Sequence, residues 1–189
     1  MISPKKSLSQ NFLTDHNICK KIIKQTEIND KIILEIGPGY GILTDYILNQ
    51  NPKKLILIEK DRDLIIFLKK KYCGNNKILI IEEDILNFNL NKLKNIIIIS
   101  NLPYNVSTKV ILYLFNFHLN IKEMVIMVQK EVSIKFDYNL PKMNKYKFIT
   151  KIISSYAIKF DVSSNVFFPK PKVKSSVVMF KFNKKNFNL

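Results

Sequence analysis

The sequence predicts an α/β fold in which βαβ units build a mostly parallel sheet that closes with an antiparallel pair of strands. Three observations carry this. Short apolar, β-branched runs recur along the chain and are continuous rather than alternating, as in strands buried on both faces. Segments of helical periodicity separate them. Near the end, two strand patterns follow one another with only a proline-rich connection between them.

Taken in order, an N-terminal helix is expected over about 15–26, with Thr14 or Asp15 placed to cap it. The first strand is "KIILEI" (31–36), followed by the helical "GILTDYILNQ" (41–50). "KLILIE" (54–59) and the helical "DRDLIIFLKKKY" (61–72) repeat the unit, and "KILIIE" (77–82) adds a third strand. "NIIIIS" (95–100), the helical "STKVILYLFNF" (107–117) and "EMVIMVQ" (123–129) continue it. "TKIISSYAIKF" (150–160) and "SSVVMFKF" (175–182) form the closing pair, joined through "FFPKPKVK" (167–174). No repeat or low-complexity linker interrupts the 189 residues, so a single domain is expected: an arm and helix over 1–30 and a core over 31–189.

Composition narrows the function classes. The chain is 47% hydrophobic, enough for a sizeable core and unlike a disordered tail. Its aliphatic runs are too short to span a membrane, and "MISPKKSLSQNFL" lacks the apolar core of a secretory signal. Two cysteines, Cys19 and Cys73, without CxxC spacing, and two histidines make a zinc site a poor expectation and fit a reducing, cytoplasmic setting. Lys plus Arg number 31 against 15 acids, a net charge of +16, which attracts polyanions such as nucleic acid or an anionic membrane. The Lys-, Ile- and Asn-rich composition also matches an A+T-biased coding sequence, which accounts for part of the lysine excess.

The chain has only four glycines, and three of them, Gly37, Gly39 and Gly41, fall on alternate positions of "EIGPGYGILT" (35–44). This turn leaves the first strand and opens a helix, where glycine admits backbone angles other residues avoid and lets a ligand approach the main chain. Glu59 ends the next strand, where an acidic side chain commonly holds a ribose diol. Asp84, in "EEDILNF", follows the third strand. The spacing is ExGxGxG, not the GxGxxG of dinucleotide enzymes, and acids at successive strand ends suit a cationic, adenosine-bearing ligand. S-adenosylmethionine has that character. Each feature alone is an ordinary turn or a solvated acid; their order and register make the case.

"SNLPYN" (100–105) ends the fourth strand on the same edge. The exocyclic amine of adenine is a weak nucleophile because its lone pair is delocalised into the ring. The carboxamide oxygen of Asn101 and a nearby carbonyl suit its two hydrogens, Pro103 stiffens the turn, and Tyr104 offers a face for an unstacked base. In isolation this tetrapeptide is a turn.

"SLSQNFL", "EIGPGYGILT", "IEKDRDL", "EEDILNF", "NLPYNVST", "MVQKEV" and "FFPKPKVKSSVV" occur in the order found in the ribosomal RNA adenine N6,N6-dimethyltransferases, and over nearly its whole length the chain resembles that family. "QKEV" resembles the bacterial small-subunit dimethyladenosine transferases rather than the large-subunit resistance methylases. The resemblance implies a class I S-adenosylmethionine-dependent methyltransferase fold: a mostly parallel seven-stranded sheet with helices on both faces and the last strand antiparallel. It implies S-adenosylmethionine as cofactor and, as substrate, two adjacent adenines near the 3′ end of small-subunit ribosomal RNA in a pre-small subunit. Residue by residue, Asn11 and Leu13 would close over the cofactor, and Gly37 and Gly39 would line it, Gly37 at its methionine part. Glu59 would hold the ribose, with Asp84 and Ile85 at the adenine. Asn101 would meet both cofactor and target amine, Leu102 or Pro103 would present the carbonyl, and Tyr104 and Phe167 would sandwich the target adenine. Phe12, by itself, reads as core packing.

The family usually continues into a small helical C-terminal domain, whereas this sequence ends just after the last strand, so none is expected here. Ser9 stands for a glycine before "QNFL", Lys135 for an arginine after "QKEV", and "MNKYKFIT" (143–150) lacks a glycine the family carries. Lysine supplies charge but not arginine's planar, bidentate contact. The expectation is a monomeric, cytoplasmic RNA adenine-N6 dimethyltransferase without a membrane partner, working by alignment and desolvation. Its alternatives are an enzyme of the same chemistry acting on DNA or large-subunit RNA, and a non-catalytic RNA-binding or assembly factor.

Overall fold

A computed structural model describes residues 4–5 and 10–183. Ser9, the start of the "SLSQNFL" motif and the tail after Asn183 lie outside the described residues. The strands are β1 (Phe12–Leu13), β2 (Ile32–Ile36), β3 (Lys54–Glu59), β4 (Ile78–Glu82), β5 (Ile96–Asn101), β6 (Ile121–Gln129), β7 (Ser154–Val162), β8 (Phe167–Phe168) and β9 (Ser175–Phe182). The helices are α1 (His16–Ile23), α2 (Ile42–Leu48), α3 (Arg62–Lys71), α4 (Ser107–Phe115), α5 (Lys130–Phe136) and α6 (Lys145–Ile153).

Seven strands form one sheet in the order β4-β3-β2-β5-β6-β9-β7. β4, β3, β2, β5 and β6 run parallel, and β9 is antiparallel to both β6 and β7. The closing pair is therefore adjacent as expected, with the last strand inserted between β6 and β7. Side-chain alternation splits the aliphatic runs between two cores. Leu34, Ile36, Ile56, Ile58 and Ile98 meet α4 and α5 on one face. Ile33, Leu55, Leu57, Ile97 and Ile99 meet α1 and α2 on the other. Helices thus cover both faces, which is why these runs are apolar at every position.

Four local expectations are corrected. β4 is an edge strand, with Leu79 45% exposed, so its continuous run is only half-covered. Helix α1 is shorter than drawn, and Asp15 alone caps it, accepting from the N–H groups of Asn17 and Ile18; Thr14 bonds the Val166 carbonyl instead, through its N–H at 2.9 Å and its hydroxyl at 3.0 Å. Residues 150–153, read as strand, finish α6, whose buried Lys147, Thr150 and Ile153 recur at helical spacing behind an Asn144 cap. The α5–α6 pair is an addition to the elements expected from the sequence. The Lys147 ammonium donates to the carbonyls of Leu140 (3.1 Å) and Pro141 (2.9 Å), tying down the connection between them. Cys19 is buried, Cys73 exposed, and both are free thiols.

The N-terminal arm is fixed by tertiary pairing. β1 and β8 form a separate two-stranded antiparallel sheet, Phe12 opposite Phe168 and Leu13 opposite Phe167. This lays the arm across the sheet edge where β2, β3 and β5 end.

Candidate active site

In a parallel sheet the crevice opens where strand order reverses, beyond the carboxyl ends of the strands. Here β2 is followed in sequence by β3 on one side and flanked by β5 on the other. The loops after β2, β3, β4 and β5 converge there on one cavity, roofed by Gln10 to Leu13. Asn11, Leu13, Gly37, Gly39, Glu59, Asp84, Ile85, Asn101, Leu102, Pro103 and Tyr104 all line it. Phe167, expected at the target adenine, does not line it, and neither does Gly41.

The glycines answer to close approach. Gly37, Gly39 and Gly41 adopt φ of 63°, 58° and 74°. A Cβ on Gly39 would stand 2.8 Å from the Phe12 ring, and one on Gly41 2.3 Å from the Tyr72 hydroxyl. The loop is thus moulded against the arm at Gly39 and against the end of α3 at Gly41. Pro103 lies 4.0 Å from the Cβ position of Gly37, so the glycine turn and the "NLPY" turn pack against each other.

Two acids back the loop. Glu59 is 7% exposed; its Oε1 accepts from the N–H groups of Lys60 (2.9 Å) and Asp61 (3.0 Å), while Oε2 faces the Gly39 N–H at 3.4 Å. Burial raises its pKa against the pull of those three N–H groups. One carboxylate oxygen is anchored and the other only loosely engaged, which suits a hydroxyl-bearing ligand. Glu35, deeper still, accepts from the Thr44 hydroxyl at 2.6 Å, and burial pushes its carboxyl up to about 8. Asp84 is more open: Oδ1 accepts from the Leu86 N–H at 3.0 Å and Oδ2 meets Lys60 at 3.4 Å.

Asn101 ends β5. Its Nδ2 donates to the Asn11 carbonyl at 3.0 Å, linking sheet and arm. Its Oδ1 is buried with no hydrogen-bond partner among the described residues. A buried acceptor without a donor costs about 1–3 kcal/mol, and such an atom at the wall of a cavity calls for a ligand donor. The adjacent backbone is held in place: Leu102 N–H donates to Met127 (3.1 Å), and the Pro103 carbonyl accepts from Val106 (3.3 Å). The Tyr104 hydroxyl lies 2.6 Å from Ser175 Oγ, fixing the ring.

Phe167 is 4% exposed, packed in the core beneath α1 and α2. Its ring meets Tyr104 edge-on, centroids 6.3 Å apart at 71°, so the two rings do not form parallel faces for a base. Neighbouring residues on a strand point to opposite sides, and the exposed ring is Phe168. Phe12, read as core, is instead half-buried on the cavity wall and packs on Tyr40 at 4.6 Å.

The arm has a second anchor, outside the residues expected at the site. Asp61, 2% exposed, accepts from Lys5 (2.6 Å) and Gln10 (2.7 Å) while capping α3. Burial alone would raise its pKa; Lys5, Gln10 and the Asp63 N–H outweigh burial and lower it. Its signal was present as the second acid of "EKD", two residues past Glu59.

Comparison with known proteins agrees with this geometry. The pattern of the family described as ribosomal RNA adenine dimethylase matches residues 1–188. The chain is similar to the ribosomal RNA small subunit methyltransferase A of Malacoplasma penetrans, 41% identical, over 97% of this chain and 67% of the relative. It is similar to that of Pelagibacter ubique at 38% identity, over 95% of this chain and 70% of the relative. The chain thus spans about two thirds of the length of these relatives. Among solved structures it is similar to a dimethyladenosine transferase from Plasmodium falciparum, with a TM-score of 0.80 and 28% identity over 92% of this chain and 64% of that one. The 23S rRNA methyltransferase ErmE, at 21% identity and a TM-score of 0.84 over 93% of this chain and 71% of that one, shares the class I methyltransferase fold. With the sheet order, the crevice and the sequence pattern all in agreement, the chain belongs to the ribosomal RNA adenine dimethylase family.

Proposed function

We propose that this protein transfers methyl groups from S-adenosylmethionine to N6 of two adjacent adenines near the 3′ end of small-subunit ribosomal RNA, acting on the pre-small subunit in the cytoplasm. The observation that carries the proposal is the buried, partnerless Oδ1 of Asn101 beside the glycine loop. An acceptor there pairs with an N–H donor, which the adenine amine supplies.

The residues fit the cofactor. Glu59 would hold its ribose hydroxyls, Gly37 and Gly39 admit it to the main chain, Asp84 and Ile85 border the adenine, and Asn11 and Leu13 cover it. Bound S-adenosylmethionine would supply an electrophilic methyl group. The cavity encloses about 100 Å³ beneath the arm.

Asn101 orients the target amine and, by accepting one of its N–H groups, shifts electron density onto the nitrogen as its lone pair attacks the methyl group. The Leu102 or Pro103 carbonyl serves the second hydrogen, and Tyr104, braced by Ser175, provides the stacking face. The Phe167 edge supports Tyr104 from behind. These contacts act by position and desolvation rather than by a strong base; the proton leaves to water after transfer. Among the described residues no helix is long and apolar enough to cross a membrane, and we take the monomer as the catalytic unit. The net charge of +16 favours RNA over a neutral partner. The test is methyl transfer from labelled S-adenosylmethionine to unmethylated small subunits, with mapping of the modified bases. Modification at adenine N6 in that RNA is expected; labelling only of large-subunit RNA or DNA, or none, would refute the reading.

A further inference from the structure

A second groove, of about 590 Å³, opens beside the catalytic cavity and shares Gln10, Asn11 and Tyr104 with it. It is lined by the β8–β9 connection, with Phe168 and Lys172, and by two carboxamide-bearing residues, Asn105 and Gln129. Phe168 is 57% exposed, although it pairs with Phe12 in the β1–β8 ladder and its neighbour Phe167 is buried. An aromatic ring held on paired backbone yet left open to solvent, next to two carboxamides and a lysine, combines the three elements that bind a nucleotide: a stacking face, base-edge hydrogen-bonding groups and a phosphate-pairing cation. Lys170 and Lys174, both exposed, flank the same connection and favour a polyanion over an apolar peptide.

We propose that this groove holds the nucleotide adjacent to the reacting adenine on the same RNA strand, with its base stacked on Phe168. This rests on the function proposed above. A base that enters the catalytic cavity leaves the helical stack, so its neighbour loses a stacking partner. Phe168 replaces that partner, and Tyr104, common to both openings, separates the two bases. Because the substrate carries two adjacent adenines, the groove would seat one of them while the other reacts. Asn105 and Gln129 would read the edge of the seated base.

Phe168→Ala tests the idea, and because the ring is exposed the change leaves the core packing intact. With small subunits as substrate and saturating S-adenosylmethionine, KM for RNA should rise roughly five- to 150-fold, with kcat far less affected. Phe168→Trp should restore KM. An RNA oligonucleotide carrying 2-aminopurine next to its one accessible adenine should be quenched on binding the wild type and not on binding Phe168→Ala. Unchanged KM and unchanged quenching in an active wild-type background would overturn the groove assignment alone. Weakened binding of S-adenosylmethionine to Phe168→Ala, measured by calorimetry, would assign the groove to the cofactor and overturn it too. A wild type inactive on small subunits would remove the functional reading and this inference together.

Discussion

Replacing Asn101 with alanine should separate stability from catalysis. The substitution removes one neutral hydrogen bond, Nδ2 to the Asn11 carbonyl at 3.0 Å, a loss of about 0.5–1.5 kcal/mol. It also removes a buried oxygen that has no donor, a relief of about 1–3 kcal/mol. The balance runs from about 0.5 kcal/mol of loss to about 2.5 kcal/mol of gain in the ligand-free protein. Catalysis moves the other way. In the proposed mechanism the lost contact acts on the amine in the transition state, and removal of one such polar group costs roughly 10²–10³ in rate, about 2.7–4 kcal/mol. Urea titration gives the first quantity. Single-turnover methylation of small subunits gives the second, at saturating S-adenosylmethionine because the proposed site puts Asn101 against both ligands; kcat and kcat/KM should fall together. A wild-type rate under these conditions, or destabilisation beyond about 2 kcal/mol, would show that Asn101 is a structural turn residue and sink the mechanism.

Glu59→Ala should weaken S-adenosylmethionine binding by about 1.5–3 kcal/mol, roughly ten- to more than a hundredfold, and calorimetry on the folded variant that finds no change would remove Glu59 from the site. Glu35 carries a pH signature: its carboxyl stays protonated in the folded protein up to about 8 but ionises near 4.5 once unfolded, so unfolding releases a proton in between and stability falls as pH rises from 4.5 toward 8. Glu35→Gln should flatten that slope, as denaturation followed across this range would reveal. RNA affinity should fall steeply and linearly with salt on logarithmic axes, given the +16 charge; a nearly flat dependence would mean the lysine excess reflects coding bias rather than recognition.

Sequence alone determined the parts that depend on neighbours along the chain. Continuous aliphatic runs mark strands covered on both sides, so β2, β3, β5 and β6 were legible within a residue or two. The glycines at 37, 39 and 41, the acids at strand ends and the "NLPY" turn were legible because each occupies the carboxyl end of a parallel strand, and parallel strands bring all such ends to one edge. Tertiary structure decided what depends on distant partners. Whether "KILIIE" lies inside the sheet or at its rim is a matter of strand order, invisible in the run itself. Lys145–Ile153 is helical because its buried residues face α5 and the sheet, a face that only packing defines. Phe12 became a cavity wall, and Phe167 a core residue with Phe168 turned outward, through the β1–β8 pairing across more than 150 residues of chain. The strap from Lys5 and Gln10 to Asp61 arises the same way. Local pattern says which side chains are apolar or charged, while long-range pairing chooses the side of the backbone on which each meets its partner.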